Sequence, residues 1–326
     1  VSMQDSPFIH SEAPHLFPVV KFMSLGVKND ITRSLPAISR LFQMIRKEKP
    51  DIVHTFFPAS NSVGILLARL AGVRVLISSR RDMGFNLSPL DIIKLKVANL
   101  FVSGVIANSK AVKERVVHME KIDPRNVEVI YNGLDLRPFV KASKKNHKKE
   151  CVVAIVANLN RPVKRVDLFI KACAIVHKEC PDVRFQVIGD GFLRSDLEKL
   201  AENLGFGSAI SFFGRRSDIP ELLKNVSVGV ISSDSEGLSN SIMEYMAMAL
   251  PVVATDVGGN SELVKNYISG LIVSQGDELK MAEAIIDLLR SPEKSKQMGL
   301  AGEAFISSQF SIQKMIEKTD LVYKKF

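Results

Sequence analysis

An α/β protein of two doubly wound, Rossmann-like parallel-sheet domains with a cleft between them is the fold class the sequence predicts. Three observations predict it. Short runs rich in Val and Ile alternate with segments of helical periodicity, the pattern of βαβ units whose parallel sheet is covered on both faces. A charged segment without periodicity interrupts the alternation at residues 141–150, after which it begins again. A chain of 326 residues also exceeds what one hydrophobic core normally serves.

The first domain, residues 1–140, is expected to hold strands at 19–25, 51–56, 73–78, 104–108 and 127–131. Helices are expected between them at 31–47, 60–70, 89–100 and 109–118. Ligands of such sheets gather at the carboxyl ends of the strands. That rule selects His54 and Thr55, then Ser79, Arg80, Arg81 and Asp82, then Asn108 and Ser109, and finally Asn132 and Gly133. Some of these have plainer readings: Ser109 is an N-cap, Asn132-Gly133 a turn, and His54 a buried, hydrogen-bonded histidine. Arg80 and Arg81 are harder to dismiss, because two adjacent guanidiniums at a strand end suit a phosphate or an acidic acceptor.

Residues 141–150 read as the linker, and its run Lys144-Lys145-Asn146-His147-Lys148-Lys149 by itself needs no more than solvent. The second domain, residues 151–309, is expected to carry strands at 151–156, 184–188, 209–213, 228–232, 252–255 and 270–273. Its helices are expected at 166–177, 194–204, 219–225, 242–249, 261–265 and 279–289. Arg161 and Lys164 stand at a strand end beside a helix N-terminus, where cations oppose the helix dipole, so a bound diphosphate would explain them. Gly189-Asp190-Gly191 lacks the third glycine of a dinucleotide loop and reads as a turn. Gly258-Gly259-Asn260-Ser261-Glu262 supplies flexible amides before a helix.

The stretch that organises the chain is Ser235-Glu236-Gly237-Leu238-Ser239-Asn240-Ser241-Ile242-Met243-Glu244, two glutamates around a helix start. Free N–H groups there favour an anion, and neighbouring carboxylates accept hydroxyls, so it reads as a pocket for a phosphorylated sugar. Ser241 to Glu244 also fits a capping box, which would make Glu244 structural. Glu236 has no such explanation.

Charge divides unevenly: residues 1–149 hold 24 Lys+Arg against 12 Asp+Glu, and the remainder 20 against 23. A basic half could face nucleic acid or an anionic membrane leaflet. With no Trp and no RNP, zinc-finger or heptad pattern, nucleic acid is set aside. Cys151, Cys173 and Cys180 lack metal spacing and suggest reduced thiols in a cytoplasmic protein, no zinc site is readable, and no apolar run approaches the ~20 residues that span a bilayer.

The chain resembles the retaining GT-B glycosyltransferases often called family 4. The resemblance rests on the two glutamates at 236 and 244, on Glu244-Tyr245-Met246-Ala247-Met248-Ala249-Leu250-Pro251 running to Gly258-Gly259, and on Glu262. Lys49-Pro50-Asp51-Ile52-Val53-His54, Asn108-Ser109-Lys110 and Val129-Ile130-Tyr131-Asn132-Gly133 are also similar, and residues 310–326 resemble the family's last helix, which crosses back to the first domain. The resemblance implies transfer of a sugar from a nucleotide-diphosphate donor to a saccharide or lipid-linked saccharide, with retention and without a metal or other cofactor. Lys164 would hold the diphosphate, Glu236 the donor sugar and Glu244 the ribose. Asn158, Arg161, Gly214, Gly237, Leu238, Ser239, Asn240 and Glu262 would complete the donor side, and His54, Arg80, Arg81 and Asn108 would lie on the acceptor side.

Three departures stand out. Asn158 occupies the place of a family arginine six residues before the lysine, Ser79 or Arg80 that of a histidine near the reacting sugar, and residues 1–4 resemble the second strand of the family, so the first domain is expected to lack its first strand and helix. A sugar-nucleotide epimerase of similar fold, an inactive truncated relative and a two-domain binding protein are the alternatives. Cell-surface polysaccharide or glycolipid synthesis at the inner face of the membrane, with peripheral attachment through the basic half, is the expected setting.

Overall fold

The computed structural model describes residues 31–143 and 151–326. The expected strand at 19–25, residues 1–4 and most of the charged linker lie outside them. Two all-parallel sheets form the core. The first contains β1 (Ile52–Phe56), β2 (Val75–Arg80), β3 (Gly104–Ala107) and β4 (Val127–Val129), paired in that order. The second contains β5 (Val152–Val156), β6 (Arg184–Ile188), β7 (Ile210–Phe212), β8 (Val228–Ile231), β9 (Val252–Thr255) and β10 (Gly270–Val273). Its order is β10-β9-β8-β5-β6-β7. All four residues of β3, β8 and β9 are buried, so helices must cover both faces, and such strands lose the polar alternation of a half-exposed sheet.

The order reverses between β5 and β8, which are neighbours although β6 and β7 lie between them in sequence. At such a switch point the connections leave in opposite directions and open a crevice at the strand ends. The loops after β5 and β8 carry Lys164 and Glu236. Topology therefore brings together residues 72 positions apart.

Three elements differ from the sequence reading. The helix Arg137–Ser143 straddles the expected boundary at 140, yet Phe139 and Ala142 are buried among Leu223, Ile242 and Tyr245 of the second domain. The chain thus crosses over before Arg137. Second, the helix expected at 242–249 runs from Asn240 to Ala247, with Ser239 as its N-cap. Third, a helix at Pro292–Gln309 has no counterpart in the sequence reading. It packs on the helix Asn240–Ala247, and a Cβ on Gly299 would lie 2.0 Å from the carbonyl oxygen of Ala249.

The last helix, Ile312–Lys324, returns to the first sheet and buries Val322 against Ile77, Ile106 and Ile130. Cys151, Cys173 and Cys180 are free thiols. Among the described residues no helix is long and apolar enough to cross a membrane.

Candidate active site

The loop after β5 ends in a short turn, Pro162–Lys164, followed by Arg165 at φ 47. That left-handed residue is uncommon without glycine and is held by the carboxylates of Asp167, at 3.0 Å, and Asp234, at 3.1 Å. The Ser232 hydroxyl donates to the Lys164 carbonyl at 3.0 Å, and the Asp234 amide donates to Val163 at 2.8 Å. The two crevice loops are therefore pinned together before any ligand arrives. Between them the Lys164 ammonium donates to Glu236 Oε1 at 2.6 Å, and the Ser233 hydroxyl donates to the same oxygen at 2.6 Å. Glu236 is buried and Lys164 keeps about a fifth of its surface open (side chain 21% exposed), so the lysine retains N–H donors for a second anion.

Glu244 lies in the second turn of its helix, five positions after the Ser239 cap. The capping box read for Ser241 and Glu244 is absent: the Ser241 hydroxyl donates instead to the Val156 carbonyl at 2.9 Å. Glu244 Oε2 is buried with no hydrogen-bond partner, and burial pushes the carboxyl up to about 7. A buried carboxylate without donors is costly, so a ligand bringing hydroxyls would relieve it.

A cavity of about 630 Å³ opens at the ends of β5 and β6, lined by Val156, Ala157, Asn158, Asn160, Ile188, Gly189, Asp190, Gly191, Arg215, Arg216 and Ile219; the helix that carries Glu244 reaches its wall through Ser241, whose hydroxyl meets the Val156 carbonyl. Asn158 Oδ1 accepts the Asn160 amide at 2.9 Å and shapes the rim. Gly214 pairs with Gly189 across the mouth. Arg215, Arg216 and Ser233 were missed from sequence, although the strand-end rule, applied to the second sheet as to the first, selects them.

The first domain faces the same crevice. A Cβ on Gly237 would lie 2.3 Å from the Arg81 carbonyl oxygen, so this glycine is required by the approach of the two domains. Arg81 Nη2 donates to Asn132 Oδ1 at 3.0 Å, and Asn132 Nδ2 donates to Asn240 Oδ1 at 2.9 Å, linking the first domain to the helix start that follows Leu238 and Ser239. Asn108 Nδ2 holds the Arg81 carbonyl at 3.0 Å. The Arg161 guanidinium stacks over Phe85 of the first domain, 5.0 Å from its centroid.

Arg80, Glu262 and His54 stand elsewhere. Successive strand residues point to opposite faces, so Arg80 turns away from Arg81 into the domain interior. There it forms a bidentate pair with Glu120, at 2.9 and 2.7 Å, and also meets Asn99. Only 7% of its surface stays exposed, so its guanidinium is engaged inside the domain and not offered to an acceptor as Arg81 is. Glu262 accepts the Lys110 and Ala111 amides at 3.0 and 2.9 Å and the Tyr131 hydroxyl at 2.8 Å, so its carboxylate caps a first-domain helix instead of lying open to a donor. His54 Nδ1 meets Tyr323 Oη at 2.7 Å and Nε2 meets Ser79 Oγ at 2.8 Å. Burial, helped by the nearby Arg81 charge, lowers its pKa to about 4, so it is a neutral bridge to the last helix.

Among the described residues no group of three His, Cys, Asp or Glu side chains is placed to hold a metal.

Comparison with known proteins gives a consistent picture. Residues 150–291 match the family profile described as glycosyl transferases group 1, and residues 2–137 match that of glycosyltransferase family 4. The chain is 27% identical to the UDP-Gal:alpha-D-GlcNAc-diphosphoundecaprenol alpha-1,3-galactosyltransferase of Escherichia coli, covering 90% of this chain and 80% of that one. It is 24% identical to the capsular polysaccharide biosynthesis glycosyltransferase CapM of Staphylococcus aureus, covering 97% and 86%. Among solved structures, Anabaena Alr3699/HepE in complex with UDP and glucose superposes with a TM-score of 0.84 at 22% identity, covering 96% of this chain and 89% of that one.

Proposed function

The chain belongs to the family 4, group 1 glycosyltransferases, retaining enzymes of the GT-B fold, and from that membership we infer that Lys164 and Glu236 form the centre at which its nucleotide-sugar donor reacts. The observation that carries the inference is the 2.6 Å contact of these two side chains at the switch point; Glu244, whose Oε2 is buried without a partner, lies on the helix that follows the Glu236 loop.

The donor is a uridine diphosphate sugar; the relatives named for UDP-galactose and UDP support this base. The cavity between Asn158 and Arg216 takes the nucleoside, Glu244 accepts ribose hydroxyls, and the first amides of the helix Asn240–Ala247 with Lys164 meet the diphosphate. Glu236 orients both the lysine and the donor sugar. In the reaction the bond from the sugar anomeric carbon to the β-phosphate oxygen breaks, while the acceptor hydroxyl bonds to that carbon on the same face. The acceptor proton passes to the departing phosphate oxygen. Lys164 and the helix amides stabilise the charge that develops there, an effect worth on the order of 3 kcal/mol per well-placed donor. No protein base is needed.

The acceptor approaches from the first domain past Arg81, and the undecaprenol-linked and capsular relatives favour a lipid-linked saccharide at the inner membrane face. The comparisons favour transfer over epimerisation. Incubating the protein with a panel of UDP, GDP and ADP sugars and membrane-extracted acceptor, and following nucleotide release, tests the reading. Release from a UDP sugar is expected. Release from GDP or ADP sugars alone overturns the base, and none from any donor overturns the activity.

A further inference from the structure

Arg165 follows Lys164 directly and has a left-handed backbone, φ 47 and ψ 46, without being glycine. A residue with a Cβ is strained there, and such strain persists only where the surroundings over-determine it. Here they do. Nε and Nη2 of Arg165 donate to the two carboxylate oxygens of Asp167, at 3.0 and 3.1 Å, and Nη1 donates to both oxygens of Asp234, at 3.2 and 3.1 Å. Asp167 lies in the first turn of the helix that Arg165 opens, Val166–Glu179, whereas Asp234 belongs to the loop after β8. One planar side chain therefore bridges the two crevice loops.

The bridge stands at the root of the Lys164–Glu236 pair. Asp234 precedes Glu236 by two residues, and Ser232 Oγ, besides meeting the Lys164 carbonyl, lies 2.8 Å from the Arg165 carbonyl oxygen. Those neutral bonds keep the backbones close, and the guanidinium fork adds a rigid spacer between them. A lysine ammonium sits at the end of a flexible four-carbon stem, so its place depends on its backbone and on its partner carboxylate. Two carboxylates neutralise Arg165, which leaves it to act through Lys164 and not on a phosphate itself. Its side chain is 30% exposed, so solvent screens the charge and the contribution lies in geometry.

We propose that Arg165 is a positioning residue for sugar transfer: by bridging Asp167 to Asp234 it sets the β5 loop against the β8 loop so that the Lys164 ammonium stands where the leaving phosphate gains charge. This role rests on the assignment of Lys164 to the diphosphate above. Displacing such a group by about 1 Å costs on the order of 10²-fold in rate, the scale at which a rigid spacer matters. The strained backbone at Arg165 follows from placing a guanidinium directly after the lysine, where its fork reaches both loops.

Calorimetry of UDP and UMP on the full chain tests it, because the two nucleotides differ only in the β-phosphate that Lys164 meets, and UDP bears the charge that develops there. Arg165→Gly is expected to weaken UDP by about ten-fold and UMP by no more than about two-fold. Its melting temperature should stay close to wild type, since glycine relaxes the left-handed turn while the ion pairs are lost. Asp234→Asn, which keeps Arg165 and its bonds to Asp167, should move the ratio of the two affinities in the same direction. In a Lys164→Ala background, Arg165→Gly should move that ratio no further, because its effect passes through the lysine. A wild-type ratio in Arg165→Gly overturns the proposal. So does an equal loss for both nucleotides, or a loss that persists at full size without Lys164. If Lys164→Ala itself keeps the wild-type ratio, the lysine assignment falls and the role of Arg165 with it; a ratio lowered by Lys164→Ala yet untouched by Arg165→Gly removes the role of Arg165 alone.

Discussion

Single residues in the crevice differ in what their loss should do, because their surroundings differ. Lys164→Ala is expected to lower kcat/KM by about 10²–10³, since it removes charge from the departing phosphate. It also leaves the buried Glu236 without its cation, so stability should fall by about 1–3 kcal/mol. Glu236→Gln should lose turnover to a similar degree with a smaller shift in melting, because Lys164 can still reach water. Steady-state rates and thermal melts of the two variants check this ordering, and wild-type turnover in Glu236→Gln would remove the residue from the reaction. Glu244 makes a proton prediction. Its folded pKa of about 7 lies above the ordinary 4.5, so the neutral carboxyl contributes stability that is full below 4.5 and is lost as pH rises through about 7. Ribose hydroxyls favour the ionised form, so UDP binding near pH 6 should release part of a proton. Calorimetry in buffers of different ionisation heat measures that release, and it should vanish in Glu244→Gln. An equal release in the variant would refute the ribose contact.

Among elements, the strands were legible because buried parallel strands announce themselves as β-branched runs, whereas the switch point between β5 and β8 depends on strand order, which the alternation does not give. Nor was the helix Pro292–Gln309 legible. Gly299 and Gly302 read as breaks in a single sequence, yet Gly302 lets this helix approach Met246 of Asn240–Ala247 and Gly299 the backbone of Ala249 just after it, a reason visible only from the partner's position. Similarly, sequence placed Lys164 and Glu236 in one crevice but could not tell Arg80 from its neighbour. Their separation depends on where β2 ends and which side Glu120 occupies. Glu262 seemed part of a donor loop because its destination, an amide pair 151 and 152 residues earlier, has no local signature. Gly299→Val should cost about 1–3 kcal/mol through the clash with Ala249, read as a lower melting temperature. Glu262→Ala should weaken the contact between domains by about 1–2 kcal/mol. Small-angle scattering without donor should then show a larger radius of gyration, and an unchanged radius would mean that the cap does not hold the crevice shut.

At the scale of the whole molecule, the last helix fastens the end of the chain to the first sheet, with His54 between Tyr323 and Ser79 as its polar rivet. Because the folded pKa of His54 is about 4 against 6.5 unfolded, its contribution is complete above 6.5 and is lost as pH falls toward 4. Melting temperature should therefore drop over that window, and His54→Gln should flatten the drop; an equal slope in both proteins would assign the acid sensitivity elsewhere. The same return of the chain has a mechanical consequence. The chain passes between domains twice, near Leu134 and near Phe310, and the two passages are tied side by side: the Leu134 amide donates to Phe310 at 2.8 Å and the Ile312 amide to Leu134 at 3.3 Å. A single tether leaves its load free to twist as well as swing. Two tethers bound along one short line behave as an axle, which permits rotation about that line and resists torsion across it. Spin-label distances taken across the crevice at two depths should accordingly rise and fall in a fixed ratio, tracing one arc.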